Sequence, residues 1–229
     1  MENLSRPKES GLYLIRHSEP EYLNLFQEPK TLEEIIEIFE QGTTENTGIT
    51  EKGVGIAEGV AKELQEKEIK PDLIVVSPFK RTGDTAMVFA QEIQKNTGLE
   101  IPVEEMESLS ELTPDKESIM QAFKETRNER KDSEKVSAEE VRPFFRRVLS
   151  IWIERQPDAI RQKAEEAIKN LEKLSEKHNS SNILIISHGM MLTAVKFVLE
   201  QRPLEDIVKM PPYEYCTGYS FCFLNNEKN

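Results

Sequence analysis

Apolar positions along the chain fall into two kinds of run. Three short blocks are continuously apolar: Gly11-Leu12-Tyr13-Leu14-Ile15, Leu73-Ile74-Val75-Val76 and Ile183-Leu184-Ile185-Ile186. Blocks of this length without polar alternation predict strands buried on both faces. Between them the apolar residues recur at helical spacing. Val54, Ala57, Ala61 and Leu64 mark a helix capped by Thr50. Thr82, Thr85, Ala86, Phe89, Ala90 and Ile93 mark a second, with Gly98 as its carboxyl-terminal cap. Pro157 opens a third, long helix carrying Ala164, Ala167, Ile168, Leu171 and Leu174 on one side.

Weaker signals fill the gaps. Glu19 to Pro29 has no period and reads as a loop. Thr31-Leu32-Glu33-Glu34 is a capping box ahead of Leu32, Ile35, Ile36 and Phe39, a helix that Gly42 ends. Glu100-Ile101-Pro102-Val103 reads as a short strand, and a helix runs from about Met191 to Glu200. Pro203 starts a short helix, and Tyr219 to Leu224 closes the chain as a strand. Strands alternating with helices predict an α/β fold: a mostly parallel central sheet flanked by helices on both faces.

From Thr113 to about Gln156 the character changes. Thr113-Pro114 starts a helix, and Lys124 to Glu140 is dense in both charges, as in a solvated helix or loop. Ser137-Ala138-Glu139-Glu140 forms a second capping box, but Pro143 removes a helical hydrogen bond soon after it. The helix therefore either kinks or starts near Pro143, with Phe144, Val148, Leu149 and Trp152 as its apolar face. We expect one domain over residues 1–229, with a helical cap inserted at about 113–156.

Composition narrows the possible partners. Acidic residues number 42 against 30 basic ones, a formal charge of −12. Nucleic acids and anionic membranes both need a basic footprint, so neither is expected as a partner. An anionic substrate would need a local positive site within a repelling field. The amino-terminal residues lack a signal peptide's apolar core, and no apolar run approaches the ~20 residues that span a bilayer. Cys216 and Cys222 fall in one extended segment, ~20 Å apart along a strand and beyond disulfide reach. A cytoplasmic location follows as the expectation. Asn179-Ser180-Ser181 matches a glycosylation acceptor and is read as chance.

The chemistry gathers where the apolar blocks end. The first delivers Arg16-His17, the second Ser77-Pro78 followed by Arg81, and the third Ser187-His188-Gly189. In such sheets sites form outside the carboxyl ends of parallel strands, so two histidines and two arginines would share one crevice. The remaining histidine, His178, ends a polar helix and reads as solvated. A metal site at His17 and His188 finds no third ligand at suitable spacing, and the arginines would repel a cation. No metal and no cofactor are expected. Gly53-Val54-Gly55-Ile56-Ala57-Glu58-Gly59 is one residue too long for a dinucleotide loop and follows no strand; helix packing explains it better.

These segments resemble the histidine phosphatase (phosphoglycerate mutase-like) superfamily. Leu14-Ile15-Arg16-His17-Ser18-Glu19 is similar to its defining motif, Ser77 to Ala86 to its second, and Ser187-His188-Gly189 to its third. Ile49-Thr50-Glu51-Lys52-Gly53 is similar to the helix start after the family's first loop. The matches keep family order over residues 12 to 189. The resemblance implies that His17 is a nucleophile carrying a transient phosphoryl group. Arg16, Arg81, His188 and Gly189 would bind phosphate, with His188 favoured as imidazolium beside that phosphate. Glu111, in a Leu-x-Glu element, would protonate the leaving oxygen, though Glu107, Asp115 and Glu117 stand nearby in sequence.

Three departures bear on the substrate. Ser18 stands where members often have glycine, at a strain cost if that position needs positive φ. Pro20-Glu21-Tyr22-Leu23-Asn24 replaces the mutases' Ser-x-Trp-Asn run, leaving Asn24 as a substrate contact one residue out of register. Leu112-Thr113-Pro114 replaces a glycine-rich continuation. The weaker mutase motifs favour water as phosphoryl acceptor, hence a phosphomonoester hydrolase. A phosphoglycerate mutase-type phosphotransferase and a non-catalytic phosphate-binding regulatory module are the alternatives. A phosphorylated small molecule is the expected substrate, and a phosphoprotein is compatible.

Overall fold

The computed structural model describes residues 9–26, 28–40, 46–129, 135–136, 138–209, 216 and 220–225. In chain order the strands are β1 (Glu9–Arg16), β2 (Lys30–Thr31), β3 (Leu73–Val76), β4 (Val103–Glu105), β5 (Lys135–Val136), β6 (Asn182–Ser187) and β7 (Ser220–Asn225). The α-helices are α1 (Leu32–Glu40), α2 (Glu51–Glu66), α3 (Lys80–Thr97), α4 (Lys116–Glu129), α5 (Ala138–Arg155), α6 (Pro157–His178) and α7 (Gly189–Leu199). The main sheet has the order β4-β3-β6-β1-β7, parallel except for β7 at one edge, while β2 and β5 pair separately.

Strand periodicity divides the apolar blocks between two cores. Leu12, Leu14, Leu73, Val75, Ile183 and Ile185 pack with α5, α6 and α7 through Trp152, Ile160, Ala164 and Val195. Ile15, Ile74, Val76, Leu184 and Ile186 point the other way, against Ala57, Leu64, Ala86 and Phe89 of α2 and α3. Successive side chains alternate faces, so an uninterrupted apolar run is what a sheet covered on both sides requires. Each fully buried aliphatic side chain contributes about 1.5–3 kcal/mol of transfer free energy.

Helix ends follow local chemistry. Thr31 and Glu34 exchange both bonds of the expected capping box, at 2.7 and 3.2 Å. The Gly53 N–H donates to the Thr50 hydroxyl at 2.9 Å, and Gly98 closes α3 in the left-handed conformation. Gly53 is also a packing glycine, because a Cβ there would stand 2.7 Å from the Glu19 carbonyl oxygen, whereas Gly55 and Gly59 face open space. Overpacking outweighs the helix-propensity gain of about 1 kcal/mol. Gly53→Ala is therefore expected to lower the unfolding free energy by about 1–3 kcal/mol, read from the urea midpoint.

Several boundaries differ from expectation. The segment read as a loop after Glu19 forms a 3-10 helix, Glu21–Phe26. The short strand lies at Val103–Glu105 rather than Glu100–Val103; Pro102 precedes it and lends only its carbonyl, to Ile74 N–H at 2.9 Å. Helix α4 starts at Lys116 rather than at Thr113-Pro114, because Asp115 accepts from Ser118 N–H at 2.8 Å and caps it. The described residues of the charged stretch fall in the end of α4, in β5 and in the start of α5, and α5 continues from Ala138 through Pro143. One lost bond near its amino end is offset by burial of Phe144, Val148 and Trp152. Ser137 of the second capping box, Gly42 and Tyr219 lie outside the described residues. Cys216 sits in a turn at φ +45°, not in the strand that holds Cys222. Both thiols are free, and burial pushes them up to about 12 and about 11.

Arg155 joins the ends of α4 and α5, reaching Asp115 at 3.4 Å and pairing with Glu117, while Gln156 donates to Asp115 at 3.0 Å. Arg147 pairs with Glu125 further along. His178 is not simply solvated: its Nε2 lies 2.8 Å from Glu104, which Lys177 also holds at 2.8 Å. Asn179 ends α6 at φ +49°, a conformation asparagine tolerates, which gives it a structural role.

Candidate active site

Parallel register brings the two motif histidines side by side. Arg16 of β1 pairs with Ser187 of β6, so the next residues, His17 and His188, leave adjacent strands together. Their rings lie 5.2 Å apart, edge to face. Neighbouring β3 pairs Val76 with Ile186, which sets Ser77 beside them and starts α3 with Arg81 in its first turn. Helix α7 begins at Gly189, two residues before the expected Met191, with His188 at its N-cap. Both helices thus present their amino ends to the crevice, where the helix dipole favours an anion.

The His17 ring is fixed through Ser18. Its Nδ1 lies 2.8 Å from the Ser18 carbonyl oxygen, which can only accept, so the proton is on Nδ1. The Nε2 lone pair accepts from Arg81 Nε–H at 3.1 Å. Ser18 is itself held twice: its N–H donates to Thr85 Oγ1 at 3.0 Å and its hydroxyl to Gly53 O at 2.6 Å. Ser18 is not among the positive-φ residues, so the strain anticipated there does not arise. A serine fits because its hydroxyl finds a buried acceptor.

Electrostatics favour neutral histidines. Burial lowers the His17 imidazole well below its ordinary range, and Arg16, Arg81 and His188 push the same way. Burial does the same to His188, reinforced by Arg81 and Arg16. The imidazolium expected of His188 beside a phosphate would have to overcome this burial and the two arginine charges. A neutral imidazole with one nitrogen anchored and a lone pair on the other is a nucleophile that needs no prior deprotonation.

Glu111 completes the cluster. Its Oε2 lies 3.5 Å from His188 Nδ1, and its Oε1 accepts from Leu112 N–H at 3.1 Å. Burial raises its pKa, while Arg81 and Arg16 oppose the rise. Its loop is tied to β6 because Ser187 Oγ donates to the Leu109 carbonyl at 2.7 Å. The competing carboxylates lie elsewhere: Glu107 is exposed, and Asp115 and Glu117 bind Arg155. Asn24 is exposed on the 3-10 helix Glu21–Phe26. That same helix sets Tyr22 beside Arg81, with the guanidinium carbon 5.4 Å from the ring centroid, and Phe79 stands 4.7 Å from it on its own side. Phe79 also meets the His188 ring at 4.7 Å. Among the described residues, no group of three His, Cys, Asp or Glu is arranged to hold a metal ion.

The sequence profile described as the histidine phosphatase superfamily (branch 1) matches residues 12–227. The chain belongs to this superfamily. No curated protein matches it in sequence. Among solved structures it is similar to Bacillus stearothermophilus YhfR, at 21% identity and TM-score 0.55, over 93% of this chain and 90% of that one. It is also similar to Entamoeba histolytica phosphoserine phosphatase solved with 3-phosphoglyceric acid, at 18% identity, TM-score 0.56, 93% and 89% coverage. Phosphoglycerate mutase from Bacillus anthracis aligns at 18% identity and TM-score 0.54, over 86% of this chain and 82% of its own. At these identities the likeness is one of fold: the mostly parallel α/β sheet of phosphoglycerate mutase-like proteins.

Within the superfamily frame, Arg16, His17, Arg81, His188 and Glu111 gather at the carboxyl ends of β1, β3 and β6, with Gly189 opening α7 beside them, and Asn24 is exposed on the 3-10 helix that carries Tyr22. Sequence reasoning missed Tyr22, Phe79 and the hydroxyls of Ser77, Thr82 and Thr85. Ser77, Thr82 and Thr85 lie inside the second motif, and that was the available signal.

Proposed function

We propose that this chain is a phosphomonoester hydrolase that passes the phosphoryl group through His17. The observation that supports the reading is one arginine, Arg81, bonded to both ring systems beside a carboxyl whose pKa burial raises. His17 Nε2 forms the N–P bond as the ester P–O bond breaks, and Glu111 gives its proton to the leaving oxygen. Water then attacks phosphorus, yields a proton to the Glu111 carboxylate, and the N–P bond breaks. Arg16 and Arg81 counter charge on the equatorial oxygens. The reaction so drawn uses no metal and no cofactor.

Supplying phosphoglycerate with a bisphosphate primer tests the choice of acceptor. Free phosphate is expected; isomer without phosphate would establish the mutase instead. Glu111→Gln is expected to lower kcat on an alkyl phosphate about 10²-fold. The loss should be much smaller on 4-nitrophenyl phosphate, whose leaving group needs no proton. The pH profile carries the same assignment. Activity should fall in acid as His17 protonates, below the usual histidine range, and in base as Glu111 ionises, above the usual carboxylate range. The basic limb should vanish in Glu111→Gln.

Within the same reading, the helices over about 113–156 form the cap that selects a phosphorylated small molecule in a single domain. Two buried, free thiols suit a reducing cytoplasm.

A further inference from the structure

Histidine has two ring nitrogens, and the bond made at one decides what the other can do. At His188 the decision can be traced through hydroxyl protons. Thr82 Oγ1–H donates to a backbone carbonyl, with Ser77 O at 2.8 Å and Phe79 O at 2.5 Å. Both acceptors are carbonyls, so the single Thr82 proton is committed. Ser77 Oγ, 2.9 Å from Thr82 Oγ1, must then be the donor of that pair. Its own proton spent, Ser77 Oγ can only accept at its other contact, His188 Nε2 at 2.7 Å. Phe79 N–H, 3.5 Å from the same oxygen, agrees with an accepting role.

We infer that Ser77, backed by Thr82, is a positioning residue that holds His188 as the Nε2–H tautomer and leaves a lone pair on Nδ1. That lone pair meets Arg81 Nη2–H at 3.0 Å, while Arg81 Nε–H meets the His17 lone pair at 3.1 Å. The two donors lie on one edge of a rigid, planar guanidinium. One edge therefore spans both rings, and the proton pattern of His188 sets where Arg81 stands against His17. The opposite tautomer would press N–H against N–H and displace Arg81 from the nucleophile. The other groups facing His188 are Arg16, Glu111 and the neutral His17 ring, with Phe79 against its face. Ser77, Thr82 and His188 are all buried, so solvent does not compete for these bonds.

The catalytic consequence rests on the phosphohistidine reading; the tautomer does not. Nitrogen NMR of the full chain with ¹⁵N-labelled histidine reads it directly. The wild type should show His188 protonated at Nε2 and bare at Nδ1. Ser77→Ala should lose that preference and lower kcat on 4-nitrophenyl phosphate roughly ten- to a hundredfold, more than it raises KM. Ser77→Thr, which keeps the hydroxyl, should recover both. If Ser77→Ala does not fold, Thr82→Val serves: freeing the Ser77 proton should give a mixture of His188 tautomers. A wild-type proton on Nδ1 would overturn the inference, as would an unchanged single tautomer in either variant. The ring spectra decide with or without turnover, so a failure here is distinguishable from a failure of the phosphatase reading.

Discussion

His17→Ala is expected to abolish phosphate release, by at least ~10⁴-fold in kcat, because no second group can accept the phosphoryl from the same position. The fold should survive. Removing the ring deletes one bond to the adjacent Ser18 carbonyl and one from Arg81, while the Ser18 backbone stays fastened to Thr85 and Gly53. Phosphate binding should persist through Arg16 and Arg81. The decisive measurement is single-turnover phosphate release at saturating phosphomonoester, run beside a thermal melt. Equal release by wild type and variant, with both folded, would point to the non-catalytic module and sink the hydrolase reading.

Arg81→Lys should cost nearly as much, about 10²–10³-fold in kcat/KM, although charge is conserved. The guanidinium touches both histidines through two donors on one edge and lies within 5.4 Å of the Tyr22 and 4.7 Å of the Phe79 ring centroids. An ammonium gathers its donors on one atom and lacks the two separate N–H groups of the guanidinium edge that make the 3.1 Å and 3.0 Å contacts. Replacement also returns less opposition to Glu111 protonation only if the charge moves away, so the basic limb of the pH profile reports where the lysine settles. Steady-state kinetics on an alkyl phosphate from pH 4 to 9, whose leaving oxygen needs the Glu111 proton, would read both effects. A loss below threefold would show that charge alone matters there.

Much of the site was legible because it sits at strand ends. A doubly covered sheet makes its strands continuous apolar runs, so Arg16-His17, Ser77 and Ser187-His188 stand out as the polar residues that stop them. Parallel register then does the rest. What stayed hidden depends on contacts between distant positions. Tyr22 belongs to a six-residue 3-10 helix, too short to impose a period. The two-residue strands β2 and β5 carry no alternation of their own. The Ser77 and Thr85 hydroxyls meet partners 111 and 67 residues away, and Thr82 bears on His188 only through Ser77. The role of Ser18 is hidden for the same reason: its acceptor, Gly53 O, lies 35 residues on. The start of α7 at Gly189 was set late because Gly189 and Met190 give no apolar period before Met191.

Ser18 ties the end of β1 to α2 and α3 at once, and His17 hangs from that knot. On the proposed reading, a nucleophile anchored this way does not travel, and substrates come to it in the orientation it dictates. Changes in the segments that choose a substrate can then accumulate without disturbing the phosphorus chemistry. The arrangement separates what is transferred from whom it is taken, and a chain built so can acquire a new substrate while keeping its old reaction.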